Sequence, residues 1–548
     1  MEIKEIYGGK FMKKNHIMII VIVVVLGIIA GAVFLGNHSV ERKPNELVVA
    51  SSAHIMELDT GFDPLKDWGC GHVNFEPLVQ STLFKTGPDG NFTNDLATDY
   101  YVSSDGLKWT VNIRGDVKFT DGVPLTAKDV AFTFNKVKES ADSQLDLTNL
   151  KKATAVNNTT VEFELKKPQS TFIWDLRYLG IVPEHAYDNQ TYGSNPIGSG
   201  PYKFVQWDKG QQAIFEINED YYGKKPYFKK ITLLFLDQDV VLPTIKSGDV
   251  DVAQIDITQA NENVSGYTLL NFPSTRAQGV SLPMLNDTGK KTEKGDAIGN
   301  NVTTDLAIRK ALNIGINRQK IADEVYHGFG NVEYTGVDKL PIGNPAGKVN
   351  DSNVDEAKKI LEDAGWKDTD GDGIREKNGL KASFKLYYSA EDQQRQALAT
   401  VVMEYAKKLG IEIELVGTDW DTIYANQYSS AVLFQQSSPN PFRSVYSQYH
   451  SKEIDDDYMN PNLYNNSIVD GYLENALSIT EQSASSEFWK KASYDGSTGF
   501  SPAGDAPWLW VVTFDFLYMK DNTIDMGPNA NTSGADILRD IYDWKRVS

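Results

Sequence analysis

From Ile17 to Leu35 the chain carries no polar side chain, and Lys4, Lys10, Lys13 and Lys14 stand just ahead of that run. Nineteen such residues in a helix would be about 28 Å long, which matches the hydrocarbon thickness of a bilayer. Lysines on that side hold the N-terminus in the cytoplasm, so everything beyond residue 37 is expected outside. The expectation is a signal-anchor, or transmembrane segment, over 1–36, a polar linker over 37–45, and an extracytoplasmic body held at the cell membrane by one pass. Cleavage at Ala30-Gly31-Ala32 is the rival reading and would give a secreted body. The run is longer than a typical signal core, which favours the anchor. No cysteine follows it, so a bacterial lipid anchor is excluded. Met12 is an alternative start, because MKKN before the apolar run reads as a complete export signal.

An exported body usually leans on disulfides, yet Cys70 is the single cysteine of 548 residues. Stability must therefore come from buried apolar surface, which a chain this long can supply in two or three lobes. The net charge of −20 excludes nucleic acid as a partner, since that requires a basic footprint.

The hydrophobic period switches repeatedly between two and 3.6. Glu46 to Ala50 reads as a strand, and Trp109, Val111 and Ile113 alternate with polar neighbours in another. Thr126 caps a helix starting at Ala127, with Asp129 as the acid of a capping box. Strand signals return at Val161 to Leu165 and Ala213 to Ile217, and from Ile231 strands and helices alternate. Helices are expected over Asp305 to Tyr326, Val354 to Ala364, Asp392 to Leu409 and Ile468 to Glu481. Strands are expected over Ala382 to Tyr388 and Ile411 to Val416. The fold class is α/β, with mixed sheets covered by helices.

Four stretches carry a more specific message. They are LATDYYVSSDGLKWTVNIRGDVKFTDGVPLTAKDVAFTF (Leu96 to Phe134), NPIGSGPYKFVQWDKGQQAIFEINEDYY (Asn195 to Tyr222), IKSGDVDVA (Ile245 to Ala253) and LAIRKALNIGINRQKI (Leu306 to Ile321). Together they resemble the peptide/nickel-binding family, family 5, of extracytoplasmic solute-binding proteins of ABC importers. The resemblance implies a periplasmic-binding-protein-like (type II) fold, bilobal with an extra inserted lobe and a hinge-closing cleft. Lobe I would be discontinuous, over 46–80, 196–282 and 500–548. The inserted lobe would span 81–195 and the ligand-closing lobe 283–499. It further implies permease and ATPase subunits of an importer as partners and an oligopeptide-like ligand. A nickel chelate is the alternative cargo, and a sensor or adhesion ectodomain on the same scaffold is the alternative of another class.

The resemblance also places the ligand between an early segment and a closing-lobe loop. The early segment is WGCGHVN, giving Trp68, Cys70, His72 and Asn74. Cys70 and His72 sit two apart, so on an extended chain they share a face, and thiolate with imidazole suits nickel or copper. The loop is VLFQQSSPNPFRS, giving Gln436, Ser437, Ser438, Asn440 and Arg443. Peptide-binding members carry an Asp there and nickel-binding members a Trp, and this chain has neither. Arg443 could pair with a ligand carboxylate. Arg177 of the inserted lobe resembles an anion-facing position near the cleft.

One constellation stands apart. Asp368, Asp370 and Asp372 fall at positions 1, 3 and 5 of a calcium-loop pattern, with Gly373 at 6, the Ile374 carbonyl at 7 and Glu376 beyond, but Gly379 at position 12. Any calcium here would be structural, and no cofactor is otherwise required. No nucleophile elbow, phosphate loop, paired CxxC or HExxH helix occurs, so the chain is expected to bind and not to catalyse.

Overall fold

The strand read at Glu46–Ser52 lies at the middle of a seven-stranded sheet, parallel to Lys230–Leu236 on one side and Val252–Ile255 on the other. Its Leu47, Val49 and Ala50 are fully buried, as expected for a parallel strand covered on both faces. A computed structural model describes residues 43–52, 60–66, 78–86, 91–140, 143, 145–436, 438–452, 459–527 and 537–547. The apolar run Ile17 to Leu35 lies outside these, as do Trp68, Cys70, His72, Asn74 and Ser437.

A second, six-stranded sheet runs in the order Gly330–Val332, Trp508–Phe514, Ala277–Ser281, Ala431–Gln436, Ser383–Ser389, Glu412–Thr418. Between the two sheets the chain crosses twice. Tyr267–Phe272 of the first continues through residues 273–276 into Ala277–Ser281 of the second, and Trp508–Phe514 continues through Asp515 into Phe516–Asp521. The crossings lie side by side: the Phe514 N–H donates to the Arg276 carbonyl at 3.2 Å, and Ser274 Oγ donates to the Phe514 carbonyl at 2.5 Å. Two adjacent strands bend together at little cost, so the sheets form two lobes on one hinge.

The inserted unit carries its own four-stranded sheet, Ala97–Val102, Lys108–Ile113, Thr160–Leu165 and Leu150–Asn157. Trp109, Val111 and Ile113 all face its core. The helix capped by Thr126 spans Ala127–Glu139 with both halves of the capping box formed. Asp129 also accepts the Glu184 N–H at 3.1 Å, fixing the helix to the segment behind it. Gly122 has φ +89°, a conformation that a Cβ disfavours. Gly198 is needed for a different reason: a Cβ there would stand 1.9 Å from the Val79 carbonyl oxygen.

Two helix expectations need correction. Asp305 to Tyr326 is not one helix but two, Leu306–Gly315 and Arg318–Glu324. The chain leaves helical geometry at Ile316, and Asn317 caps a fresh start by accepting the Lys320 N–H. The helix expected to reach Glu481 stops at Ser478, and Glu481 instead caps a second helix, Gln482–Ser493.

The break at Ile316 lets Arg318 turn inward. Its side chain is wholly buried. Nε donates to the carbonyls of Glu333 (3.0 Å) and Trp510 (2.7 Å), Nη1 to the Asn313 carbonyl (2.8 Å), and Nη2 to Asn313 Oδ1 (2.7 Å). Asp351 closes the ion pair at 3.3 Å. A buried cation is tolerated only when paired and hydrogen-bonded throughout. Arg318→Met should therefore cost about 3–5 kcal/mol of stability, the penalty for stranding Asp351 and the freed carbonyls. Urea denaturation of the full chain measures this, and a loss under 1 kcal/mol would show the network to be dispensable.

Candidate ligand-binding cleft

The register of the two sheets decides which edges face each other. Ile255 pairs with Leu517 at the start of the strand leaving the hinge, so the parallel strands of the first sheet end at the hinge side. In the second sheet Gln436, the last residue of its strand, pairs with Ala277 at the same crossing, and Ser383–Ser389 and Glu412–Thr418 run parallel to it. The carboxyl ends of both parallel sets thus meet across the hinge, the position where open α/β sheets hold ligands.

On the closing lobe this edge continues as residues 436–446. Gln436 is 5% exposed; its Oε1 accepts the Ser438 N–H at 2.7 Å, while its Nε2 is buried with no partner. Ser438 Oγ accepts the Asn440 N–H at 3.2 Å, and Asn440 Oδ1 accepts the Phe442 N–H at 3.0 Å. Both side chains are thus occupied in building the loop and starting the helical turn Phe442–Tyr446. Gln436 therefore keeps one buried donor, Nε2, on this edge.

Arg443 stands on that turn and looks across a seam to the inserted lobe. There, helix Phe172–Tyr178 presents Asp175, with the buried Arg177 two residues on. The seam is also held by Ser170, whose N–H donates to the Leu477 carbonyl and whose Oγ donates to the Ala476 carbonyl, both at 2.8 Å. These carbonyls belong to the last turn of helix Ser467–Ser478, so a residue of one lobe satisfies the orphan acceptors of another. Sequence reasoning passed over Asp175, because nothing in FIWDLRYLG distinguishes a buried acid from an exposed one.

Burial pushes the Asp175 carboxyl up from an ordinary 3.8 to about 8; Arg443 pulls it back down and Asp146 adds to the rise. The 3.4 Å contact from Gln169 Nε2 is weak compensation. A carboxyl whose folded pKa exceeds its unfolded value favours the native state most at low pH, and that advantage is lost as pH rises from about 4 to about 8. Asp175→Asn should therefore leave the unfolding midpoint unchanged near pH 4 and raise it by about 2 °C or more at pH 8. Scanning calorimetry at the two pH values checks this, and an equal gain at both would trace it to packing.

The acidic loop lies elsewhere. Oxygens of Asp368, Asp370, Asp372 and Glu376 all come within 4.8 Å of one another, which fits a ring around calcium, whose oxygens sit about 2.3–2.6 Å from the ion. Gly371 and Gly373, with φ +82° and +89°, wind the loop. Gly379 at position 12 offers no carboxylate, but a short hairpin, Glu376–Lys377 with Leu380–Lys381, folds back and brings Glu376 beside the three aspartates. Ile374 lies within the loop and donates its N–H to Asp372 at 2.8 Å. Lys381 Nζ contacts Asp370 at 3.2 Å and also Asp372, so an ammonium now occupies part of the ring. The loop precedes Ser383, at the amino end of the parallel strands and away from the cleft edge.

Comparison with known proteins agrees with this architecture. The chain matches the family model of bacterial extracellular solute-binding proteins, family 5 Middle, over residues 91–456. It is 27% identical to the oligopeptide-binding protein AppA of Bacillus subtilis over 97% of this chain and 98% of that one. It is 28% identical to the nickel-binding periplasmic protein of Escherichia coli over 70% and 73% of the two chains. Among solved structures, NikZ from Campylobacter jejuni in complex with Ni(L-His) superposes with a TM-score of 0.76 at 22% identity, covering 92% of this chain and 100% of that one, a likeness of fold. With two thirds of its length matched by that family and its sheets joined at a hinge, the chain belongs to the family 5 extracellular solute-binding proteins, which bind solutes for ABC importers and are not enzymes.

Proposed function

We propose that this protein captures oligopeptide-like ligands outside the membrane and passes them to the permease and ATPase subunits of an ABC importer. The observation that carries the reading is the meeting of two sets of parallel-strand ends across a two-strand hinge, with a buried, unpartnered amide on the closing side. Similarity to an oligopeptide-binding protein along almost the whole chain supports peptides as cargo. In this reading the units 46–80 with 196–282 and 500–548, 81–195, and 283–499 act as three lobes. Gln436, Ser437, Ser438, Asn440 and Arg443 face the ligand from the closing lobe, Arg177 from the inserted lobe, and Trp68 to Asn74 from lobe I. A nickel chelate is the second reading, favoured by Cys70 and His72 and by similarity to a nickel-binding protein. The run Ile17 to Leu35 serves as the tether; among the described residues no helix is long and apolar enough to cross a membrane.

Small-angle scattering should show compaction of the full chain with a mixed oligopeptide pool, and mass spectrometry should recover the peptides intact. Compaction with nickel(II)–L-histidine instead, abolished by Cys70→Ser with His72→Ala, would transfer the assignment to the chelate. Compaction with neither probe would overturn both. Calcium is proposed as a structural ion held by Asp368, Asp370, Asp372, Glu376 and the Ile374 carbonyl. Added calcium should raise the unfolding midpoint, Asp372→Asn should abolish the rise, and Lys381→Met should strengthen it by removing the competing ammonium. A midpoint indifferent to both calcium and chelator would reject the ion.

A further inference from the structure

The closing lobe has a second end, opposite the cleft. Ser281, the last residue of the strand that enters from the hinge, pairs with Trp508 and with Val432, near the start of Ala431–Gln436. Beyond it the chain builds a cap of loops. The Leu282 N–H donates to the Pro507 carbonyl at 3.0 Å, that of Met284 to the Asn462 carbonyl at 2.8 Å, and that of Gly299 to the Tyr428 carbonyl at 2.8 Å. Segments 282–287, 299–304, 428–430, 460–467 and 505–507 therefore meet at the amino ends of the parallel strands, away from the hinge.

Three Asn-x-Ser/Thr triplets fall on this cap: Asn286-Asp287-Thr288, Asn301-Val302-Thr303 and Asn465-Asn466-Ser467. The triplet is the acceptor pattern for N-linked sugar on exported chains. It also arises by chance wherever asparagine is common, so the side chains must decide. All three asparagines are exposed. Two of them stand beside an asparagine outside the pattern, and both pairs divide in the same way. Asn300 donates Nδ2 to the Ser429 carbonyl at 3.1 Å, and its Oδ1 accepts the N–H groups of Val302 and Thr303 at 3.0 Å. Asn466 donates Nδ2 to Thr498 Oγ1 at 2.7 Å and to the Asp505 carboxylate at 2.8 Å while capping helix Ser467–Ser478. Among the described residues, the Nδ2 atoms of Asn286, Asn301 and Asn465 donate to no protein acceptor. Asn301 engages only Oδ1, which accepts the Asp287 N–H at 3.0 Å and so sets the first two triplets side by side. In each pair the asparagine outside the pattern holds the fold, and the one inside it keeps an amide that can be substituted without losing a contact.

We propose that Asn286, Asn301 and Asn465 are N-glycosylated, which gives the closing lobe a sugar-bearing end opposite its cleft. The donor is a lipid-linked oligosaccharide outside the membrane. Asparagine Nδ2 bonds to C1 of the first sugar, the bond from C1 to the lipid phosphate breaks, the phosphate leaves with the electron pair, and one Nδ2 proton passes to water. Thr303 fixes the timing: its hydroxyl is buried and donates to the Pro283 carbonyl at 2.7 Å, so a transferase that reads it must act on the emerging chain before the cap folds. The proposal needs only the extracellular location of the family and holds for either cargo. Hydrated sugar at this end leaves the cleft edge clear to close and keeps partner proteins away from the cap.

The full chain isolated from its native cells tests this by gel mobility and by mass spectrometry of its peptides. Asn286, Asn301 and Asn465 should each carry a mass addition containing hexose or hexosamine, with Asn300 and Asn466 bare. Asn286→Gln, Asn301→Gln and Asn465→Gln should each remove one step of apparent mass, and the triple variant all of these steps together. Thr288→Ala and Ser467→Ala leave the asparagines in place and should remove the same single steps, whereas Thr288→Ser and Ser467→Thr should retain them. These hydroxyl variants decide the matter if an asparagine variant proves unstable. Bare peptides at two or more of the three asparagines, or sugar found only on triplets elsewhere in the chain, overturn the proposal and leave the solute-binding reading in place.

Discussion

The guanidinium of Arg318 is the contact on which the moving part of this protein depends. A cation with no access to water is costly unless acceptors surround it. Here the acceptors come from the preceding helix at Asn313, from Glu333 just past the short strand Gly330–Val332, and from the crossing strand at Trp510. That last carbonyl lies in the strand that runs straight through Asp515 into the other lobe. Asn313 reinforces the attachment by donating to the Trp508 carbonyl at 3.1 Å, and Arg309 adds the Asp505 carbonyl at 3.0 Å. A hinge needs a stiff arm on each side of the bend. The buried arginines clamp the arm on the closing side, so bending is left to residues 273–276 and 515, and the carboxyl strand ends move as one rim.

This division explains what could be read along the chain and what could not. LAIRKALNIGINRQKI was legible as a helical stretch and a family resemblance, but not the inward turn of Arg309 and Arg318, which tertiary packing decides. The break at Ile316 was hidden because both halves share a helical period and an asparagine reads as easily mid-helix as at a cap. Helix Gln482–Ser493 went unread for a related reason: QSASSEFWKKAS carries few apolar residues, and Trp489 and Ala492 are buried by tertiary packing. The inserted sheet was legible since Trp109, Val111 and Ile113 alternate plainly. The loop at 436–444 was placed at the rim by resemblance, yet sequence cannot tell which polar atoms a loop spends on itself. Ser438 and Asn440 each accept a backbone N–H within the loop, while the Gln436 amide keeps a buried donor without a partner. The acidic cluster was legible in all four carboxylates, Asp368, Asp370, Asp372 and Glu376; the hairpin that brings Glu376 back beside the aspartates was not.

The seam between the inserted and closing lobes adds a second constraint on closure. Ser170 caps the last turn of a helix in the closing lobe, and Asp175 faces Arg443. Groups that meet in this way have water as their alternative partner when the lobes part. The Ser170 contacts therefore exchange at modest net gain, whereas Asp175 pays for burial most heavily when ionised. With the Ser170 contacts adding little net gain, ligand contacts must supply most of the preference for the closed form.

Charge then limits how the ligand can be recognised. With a net charge of −20, the protein repels anions at a distance, though salt screens that field beyond about 8 Å at physiological strength. A free anion gains nothing from approach, but a ligand that is neutral overall and carries one carboxylate meets little barrier. Its acid end must be read at contact range, by donors that water cannot reach and that neighbouring acids have not already saturated.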